Sequence, residues 1–171
     1  HRRRAVFLSE SDADVVATVE IEAPPELVWD VTKNLDQGSA MFPTLVKAET
    51  LTGSVEEPGS VHTCLHGDGM HLVHYRVAYD PVSRRATDRL TGVPVVGRML
   101  QTWEVQPLPE GTGTRFSFFY AVRPDDEIDD PELQQTIIDT IREHARGDVD
   151  GLKAFCEDAH ANGLPVDRTP T

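Results

Sequence analysis

The stretch Ser60-Val-His-Thr-Cys-Leu-His-Gly-Asp-Gly-Met-His-Leu-Val-His-Tyr-Arg-Val-Ala-Tyr-Asp80 decides the fold of this chain, because it predicts a β-hairpin at the centre of a sheet. Strand-forming residues flank Asp68-Gly69, a dipeptide typical of a two-residue type I′ turn. In the register set by such a turn, His66 opposes His71. The register decides the faces of the hairpin, because successive side chains of a strand point to opposite sides of the sheet.

One face of this predicted hairpin combines histidines with aromatic and apolar side chains. It carries His62, Cys64, His66, His71, Val73, Tyr75, Val77 and Tyr79. The opposite face carries Val61, Thr63, Leu65, Leu72, His74, Arg76 and Ala78. The first face holds three of the seven histidines of the chain and two of its three tyrosines. Because it is the more aromatic and apolar of the two, we expect it to line the interior.

Strand and helix patterns continue on both sides of the hairpin. Residues 15–22 alternate apolar and polar side chains, as a half-buried strand does. Pro24-Pro25 then opens a helix with apolar residues at helical spacing. Stop signals follow at residues 34–39, and a short apolar turn or second helix at 41–43. Further strands are predicted at residues 45–52, 84–91, 98–108 and 114–122.

A long amphipathic helix closes the pattern. Asp130 is a suitable N-cap and Pro131 a suitable first helical residue. The helix is about 30 residues long, or roughly 45 Å at 1.5 Å per residue. Its apolar stripe consists of Leu133, Ile137, Ile141, Ala145, Val149, Leu152, Phe155 and Ala159. The sequence therefore predicts an α+β fold: a curved seven-stranded antiparallel sheet around a long C-terminal helix, with one or two short helices after the first strand.

Length and charge limit the classes of function. In a chain of 171 residues we expect one domain at residues 14–160, with tails at residues 1–13 and 161–171. The net charge of −13 argues against nucleic acid and against docking on an anionic membrane. No apolar run is long enough for membrane insertion, so we expect a cytoplasmic monomer or homodimer. The two cysteines, Cys64 and Cys156, are expected to be free thiols.

Four local phrases resemble a known superfamily. They are Val19-Glu-Ile-Glu-Ala-Pro-Pro-Glu-Leu-Val-Trp-Asp30, Phe42-Pro43, Tyr79-Asp80-Pro81 and Trp103-Glu-Val-Gln-Pro-Leu-Pro-Glu-Gly-Thr-Gly-Thr-Arg115. Together with the order of elements, they make the chain similar to the START-like, or helix-grip, superfamily. Its polyketide cyclase/dehydrase branch, which includes the aromatase/cyclases, is the most similar part. The resemblance implies a cavity between the sheet and the long helix that holds an apolar small molecule.

The resemblance also identifies candidate residues of that cavity. Aromatase/cyclases carry an inward arginine on the strand that ends in Asp-Pro; aligned on Asp80-Pro81, this position is Val77, while alternation points Arg76 to the other face. His144 could approach a ligand, with Asp148 one turn further along the helix, or both could be solvated. The side chains expected to bind the ligand are Cys64, Val73, Val77, Tyr79, Met99, Gln101, Trp103, Phe116, Phe118, Tyr120, Ile137, Ile141 and His144.

Four side chains of the hairpin are candidates for acid/base catalysis, namely His62, His66, His71 and Tyr75. A histidine in an apolar cavity can titrate near the working pH. Other interpretations stay open: the same histidines with Cys64 could bind zinc, Cys64 could be a nucleophile, or the histidines could be solvated or core residues. We expect no metal, because no carboxylate is clearly placed behind the histidines and the resemblance predicts none.

The expected function is binding of an apolar, polyketide- or lipid-like small molecule, with cyclase/dehydrase chemistry and no cofactor. Aldol cyclisation and dehydration need only proton transfers on a bound and folded substrate. Two alternatives stay open. One is a non-catalytic carrier or sensor of lipids or other hydrophobic ligands, and the other is a co-chaperone-type interaction domain of the same fold.

Overall fold

The computed structural model describes residues 7–33 and 41–163 and confirms the predicted helix-grip architecture. A short 3-10 helix, Glu10–Asp12, precedes the first strand. The elements are β1 (Val15–Ile21), α1 (Pro25–Lys33), β2 (Leu45–Thr52), β3 (Val61–His66), β4 (His71–Asp80), β5 (Arg85–Thr91), β6 (Val96–Pro107), β7 (Thr114–Pro124) and α2 (Pro131–Ala161). The predicted stop signals at residues 34–39 lie outside the described residues.

The seven strands form one antiparallel sheet in the order β1-β7-β6-β5-β4-β3-β2. Consecutive strands from β2 to β7 are neighbours, as in a meander, and β1 joins at the β7 edge. The predicted alternation of β1 is confirmed, since Val15, Ala17 and Ile21 are buried. The buried face of the sheet and the apolar side of α2 form the core.

Helix α2 lies across that face and packs mainly against β1 and β7. It starts as predicted, because the Asp130 side chain accepts a hydrogen bond from the backbone N–H of Glu132 at 2.9 Å. Most of the predicted stripe is buried or half-buried, whereas Leu133 in the first turn is exposed. Lys153 Nζ donates to the carbonyl of Glu20 at 2.7 Å and so fastens the helix to the β1 edge.

The predicted register of the central hairpin is wrong by one residue. Its loop has three residues, Gly67 to Gly69, instead of two. The N–H of His66 donates to the carbonyl of Met70 at 2.9 Å, and the N–H of Gly69 donates to the carbonyl of His66 at 3.0 Å. Gly69 has a φ of 88°, as expected for a type I turn closed by a left-handed glycine. Cys64 therefore pairs with Leu72, not with Val73.

A slip of one residue exchanges the faces of β4 while those of β3 stay as predicted. His62, Cys64 and His66 are buried on the inner face. The inner residues of β4 are Leu72, His74 and Arg76, which are also buried. The four residues of β4 that were predicted inside and lie on the outer face are His71, Val73, Tyr75 and Val77.

A β-bulge at Val77 restores the predicted orientation for the end of β4. The pairing between β4 and β5 shifts between Arg76 and Ala78. Tyr79 therefore faces inward, where its ring packs on Trp29 of α1 at 5.3 Å between centroids. The bulge also explains why counting back from Asp80-Pro81 identified Val77 as the inward residue, whereas the inward residue is Arg76.

We expect Gly69→Ala to lower the free energy of unfolding by about 1 kcal/mol, because only glycine adopts a φ of 88° without a steric cost. Gly67→Ala is the matched control in the same loop. A Cβ at Gly67 would come no closer than 3.8 Å to its nearest neighbour, the carbonyl oxygen of Thr44. Urea unfolding of both variants checks the loop, and equal destabilisation would contradict the three-residue turn.

Candidate functional site

A cavity of about 450 Å³ lies between the inner face of the sheet and α2. This volume is in the range of pockets that bind small molecules. Its wall is mainly apolar and is contributed by β2 to β7, the loop between β5 and β6, and α2. The apolar lining includes Leu45, Leu72, Leu90, Met99, Trp103, Phe116, Phe118, Ile137 and Ile141.

Most of the residues predicted from the sequence to line the cavity do so. The structure brings together Cys64, His66, Met99, Gln101, Trp103, Phe116, Phe118, Tyr120, Ile137, Ile141 and His144. The slip in β4 excludes the four outer-face residues named above. Two other predicted residues face inward without lining the cavity: Tyr79 lies against α1, and His62 is 1% exposed in the layer behind the wall.

A polar cluster closes the end of the cavity next to the hairpin loop. This hairpin-end cluster consists of Thr44, His66, His144 and Asp148. The Thr44 Oγ1 atom lies 3.1 Å from His66 Nδ1 and 3.1 Å from His144 Nε2. A hydroxyl has one proton to donate, so it donates to one imidazole and accepts from the other. The two rings are 5.4 Å apart between centroids, and the shared hydroxyl fixes their relative tautomers.

Burial in this cluster favours neutral histidine side chains beside a neutral Asp148 carboxyl group. Burial lowers the pKa of His144, and it lowers that of His66 with a further contribution from His144. Burial raises the pKa of Asp148 to about 7. Its Oδ2 lies 3.9 Å from His144 Nε2, too far for a hydrogen bond, so desolvation dominates. Near neutral pH the cluster can therefore both accept and donate a proton.

A second polar pair faces the cavity from the sheet. Gln101 Nε2 donates to the Tyr120 hydroxyl at 2.7 Å, and both residues line the cavity. Burial raises the pKa of Tyr120, and the nearby Asp148 raises it further. The phenol therefore keeps its proton and can donate it to an oxygen of a bound molecule.

A buried charged network, which we call the Asp88 network, lies along the sheet side of the cavity wall. Asp88 is 0% exposed and accepts from Arg76 Nε at 2.7 Å through Oδ1. Its Oδ2 lies 3.2 Å from His74 Nδ1 and 3.4 Å from His62 Nε2. The His62 contact lacks hydrogen-bond geometry, and within the described residues neither ring nitrogen of His62 has another partner.

Arg76 and its neighbours fix the orientation of this network. The guanidinium also donates to the carbonyl of Val55 and lies over the ring of Trp103, 4.8 Å from its centroid. The rings of His62 and His74 stack at 4.7 Å. Asp88 and His74 reach the cavity wall, whereas Arg76 stays behind it and holds the carboxylate.

Comparison with known proteins identifies the family of the chain. A family model described as polyketide cyclase/dehydrase and lipid transport matches residues 12–157. The chain belongs to this family. A candidate polyketide cyclase of Streptomyces cyaneus is 29% identical over 128 residues, which cover 70% of this chain and 80% of that protein. The predicted START-like resemblance is confirmed.

Two solved structures of similar proteins share the fold. An aromatase/cyclase, Zhui, from Streptomyces sp. R1128 matches with a TM-score of 0.70 and 21% identity, covering 89% of this chain and 98% of that one. A START superfamily protein of Mycobacterium smegmatis matches with a TM-score of 0.64 and 17% identity, covering 84% and 97%. In the described part of this polyketide cyclase/dehydrase-family chain, no helix is long and apolar enough to cross a membrane.

The Asp88 network is the part of the site that the sequence analysis missed. His74 and Arg76 were placed outside because the turn was counted as two residues. Asp88 had a visible signal, since it alternates with Ala86 and Leu90 on the inner face of β5. A carboxylate at such a position indicates a buried cationic partner on the neighbouring strand.

Three residues of the network could gather around a metal ion. Ligand atoms of His62, His74 and Asp88 lie within 4.8 Å of one another. The set considered from the sequence was His62, Cys64, His66 and His71, of which His71 faces outward. Arg76 already balances Asp88, so a divalent cation would add uncompensated positive charge to a buried place. The donor set therefore fits a hydrogen-bonded ion network better than a metal.

The network makes the stability depend on pH through His74. Burial lowers the pKa of His74, but Asp88 and the adjacent Cys64 outweigh it and raise the pKa to about 9, from 6.5. A raised pKa in the folded state contributes stability that is complete below pH 6.5 and lost as the pH rises to about 9. We expect the stability difference between wild type and His74→Gln to shrink over this interval in urea unfolding.

The control for this measurement is His71→Gln, which changes an exposed histidine of the same strand. Its stability difference from the wild type should stay constant over the same interval. A difference for His74→Gln that stays flat from pH 6.5 to 9 would contradict a charged His74–Asp88 pair.

Proposed function

We propose that this polyketide cyclase/dehydrase-family chain binds an apolar, polyketide-like molecule in its cavity and cyclises or dehydrates it by proton transfer. The observation that carries this proposal is the hairpin-end cluster at one end of a mainly apolar cavity. An apolar wall folds a flexible chain and excludes water, and the polar cluster supplies the acid and the base. Such chemistry requires no cofactor, because it only moves protons.

The roles follow from the positions of the groups. His66 or His144, unprotonated because burial lowers their pKa values, removes a proton next to a carbonyl. The Tyr120 hydroxyl, held by Gln101, donates a hydrogen bond to the carbonyl oxygen on which charge develops. Asp148, protonated below about pH 7, donates the proton that a leaving hydroxyl needs to depart as water.

The alternative is a non-catalytic carrier of a lipid or another hydrophobic ligand. The apolar wall, with aromatic rings from β6 and β7, suits such a molecule equally well. The inward Arg76 favours the cyclase over the carrier, since it removes the departure from aromatase/cyclases that the alignment on Asp80-Pro81 had suggested. Conversion of a linear poly-β-ketone by the purified wild type separates the two, because a carrier binds it without forming a product.

A blocking substitution tests whether the cavity is the binding site. Ile141 is half-buried and lines the cavity from α2, so Ile141→Trp should fill part of it. A ligand must then overpack the site at a cost of about 1–3 kcal/mol, which weakens binding about 5- to 150-fold. Calorimetric titration with an aromatic polyketide measures this loss.

The matched control is Leu133→Trp, on the same helix at a position that is 44% exposed and outside the cavity lining. It should leave the dissociation constant unchanged. Equal affinities of the two variants for the aromatic polyketide would place binding elsewhere and sink the proposal.

A further inference from the structure

The thiol of Cys64 has no part in the proton transfers described above, although it opens on the same cavity. Cys64 is 4% exposed and lies on the inner face of β3. It pairs with Leu72, so His74 is its diagonal neighbour on the same face of the adjacent strand. The Cys64 side chain interacts with the His74 ring. The predicted inner face already placed His62 and His66 beside Cys64 on the same strand, and the corrected register adds His74 from the adjacent strand.

A carboxylate stands behind this histidine. Asp88 Oδ2 lies 3.2 Å from His74 Nδ1, which leaves Nε2 for the thiol. Arg76 holds the other carboxylate oxygen at 2.7 Å, and stacking on His62 at 4.7 Å limits rotation of the His74 ring. A cysteine, a histidine and an orienting carboxylate thus lie next to one another at the cavity wall. This is the arrangement of an activated nucleophile.

We propose that Cys64, His74 and Asp88 form a nucleophilic triad that accepts an acyl group from an ester or thioester bound in the cavity. The inference rests on the proposed entry of small molecules into the cavity but not on cyclase chemistry. Its occupant is an apolar acyl chain joined to an oxygen or sulfur leaving group, because the wall around Cys64 includes Leu72 and Leu90.

The reaction balances without an oxidant or reductant. The reactive form is the one in which His74 is neutral, and this form grows as the pH approaches about 9. In it the Cys64 thiol passes its proton to His74 Nε2, and the sulfur attacks the acyl carbon and forms a tetrahedral intermediate. Its collapse breaks the bond to the leaving oxygen or sulfur, which takes the proton from His74. Water, deprotonated by His74, then attacks the Cys64 thioester and releases the carboxylic acid and the free thiol. Asp88 acts as a positioning residue, because it keeps the imidazole oriented throughout.

The test uses p-nitrophenyl butyrate with the full chain. We expect a burst of p-nitrophenolate close to one equivalent per chain, and peptide mapping should place the butyryl group on Cys64. Cys64→Ala should abolish the burst. Cys156→Ala is the matched control and should keep it, since Cys156 is 0% exposed on the core-facing side of α2 and does not line the cavity. His74→Gln should slow acylation by about 10²–10⁴-fold, the usual contribution of a general base.

Several results would overturn the triad: no burst, butyryl on lysine or on Cys156, or an unchanged acylation rate in His74→Gln. The mapping on wild-type protein decides the matter even if His74→Gln folds poorly. Failure here leaves the cyclase proposal standing, since poly-β-ketone conversion needs no acyl-enzyme. Conversely, acylation of Cys64 in a protein that converts no poly-β-ketone would support the triad and refute the cyclase.

Discussion

Asp88→Asn is expected to lower the free energy of unfolding by about 3–5 kcal/mol at neutral pH, because it leaves the Arg76 guanidinium buried without a counter-charge. The two side chains are 1% and 0% exposed, so water cannot replace the lost partner. His74 loses its acceptor at the same time. The substitution keeps the size of the side chain, so the loss reports charge instead of packing. Urea unfolding measures it through a lower midpoint at constant slope.

Two control variants isolate the buried ion pair. Arg76→Met combined with Asp88→Asn removes both charges and should recover most of the loss, because no buried charge is left unpaired. Asp139→Asn removes a carboxylate from the exposed pair with Arg142 on α2 and should change stability by less than about 0.5 kcal/mol. A double variant no more stable than the single one would show that the loss arises elsewhere.

The fold was predictable because each element carries a local signal. The alternation of apolar and polar residues in β1 indicates a strand. The apolar stripe of α2 indicates a helix, and its N-cap residue marks where that helix begins. The order of elements then leaves few arrangements, since consecutive antiparallel strands pair with each other. These signals come from residues close together in the sequence, so one amino-acid sequence suffices to detect them.

The site was less predictable, because the face on which each β4 side chain lies depends on the number of residues in the turn before that strand. Gly67-Asp68-Gly69 fits a two-residue and a three-residue turn almost equally well, and the choice reverses every side chain of β4. The bulge at Val77 reverses the strand again before Tyr79. The three-residue turn moved His74 and Arg76 to the inside, and the bulge returned Tyr79 to the predicted face. The acidic residue at Asp88 on β5 was the local hint.

Asp148→Asn is expected to remove the alkaline limb of the pH profile of turnover and to lower kcat by about 10²–10⁴-fold at its optimum. In the wild type, kcat/KM should rise as the histidine bases lose their protons below pH 6.5, and fall above about pH 7 as Asp148 loses its own. Asparagine has no proton to lose in this range, so only the rising limb should remain. Initial rates of poly-β-ketone conversion between pH 5 and 9 measure both limbs.

The histidine side of the same profile has its own variant. His144→Phe keeps a ring of similar size and removes a base, so it should lower kcat to a similar extent while the ligand still binds. His71→Phe changes an exposed outer-face histidine and should leave kcat unaltered. An unchanged profile in both Asp148→Asn and His144→Phe would exclude the hairpin-end cluster from the chemistry.

Stability separates this functional role of Asp148 from a structural one. Its folded pKa of about 7 lies above the ordinary 3.8, so the wild type loses stability as the pH rises between these values. Asp148→Asn lacks the buried charge and should therefore unfold at higher urea than the wild type above pH 7. Replacing a residue that only supported the fold would instead lower the free energy of unfolding. A variant that is more stable and far slower indicates a carboxyl kept in an unfavourable place because the reaction needs its proton.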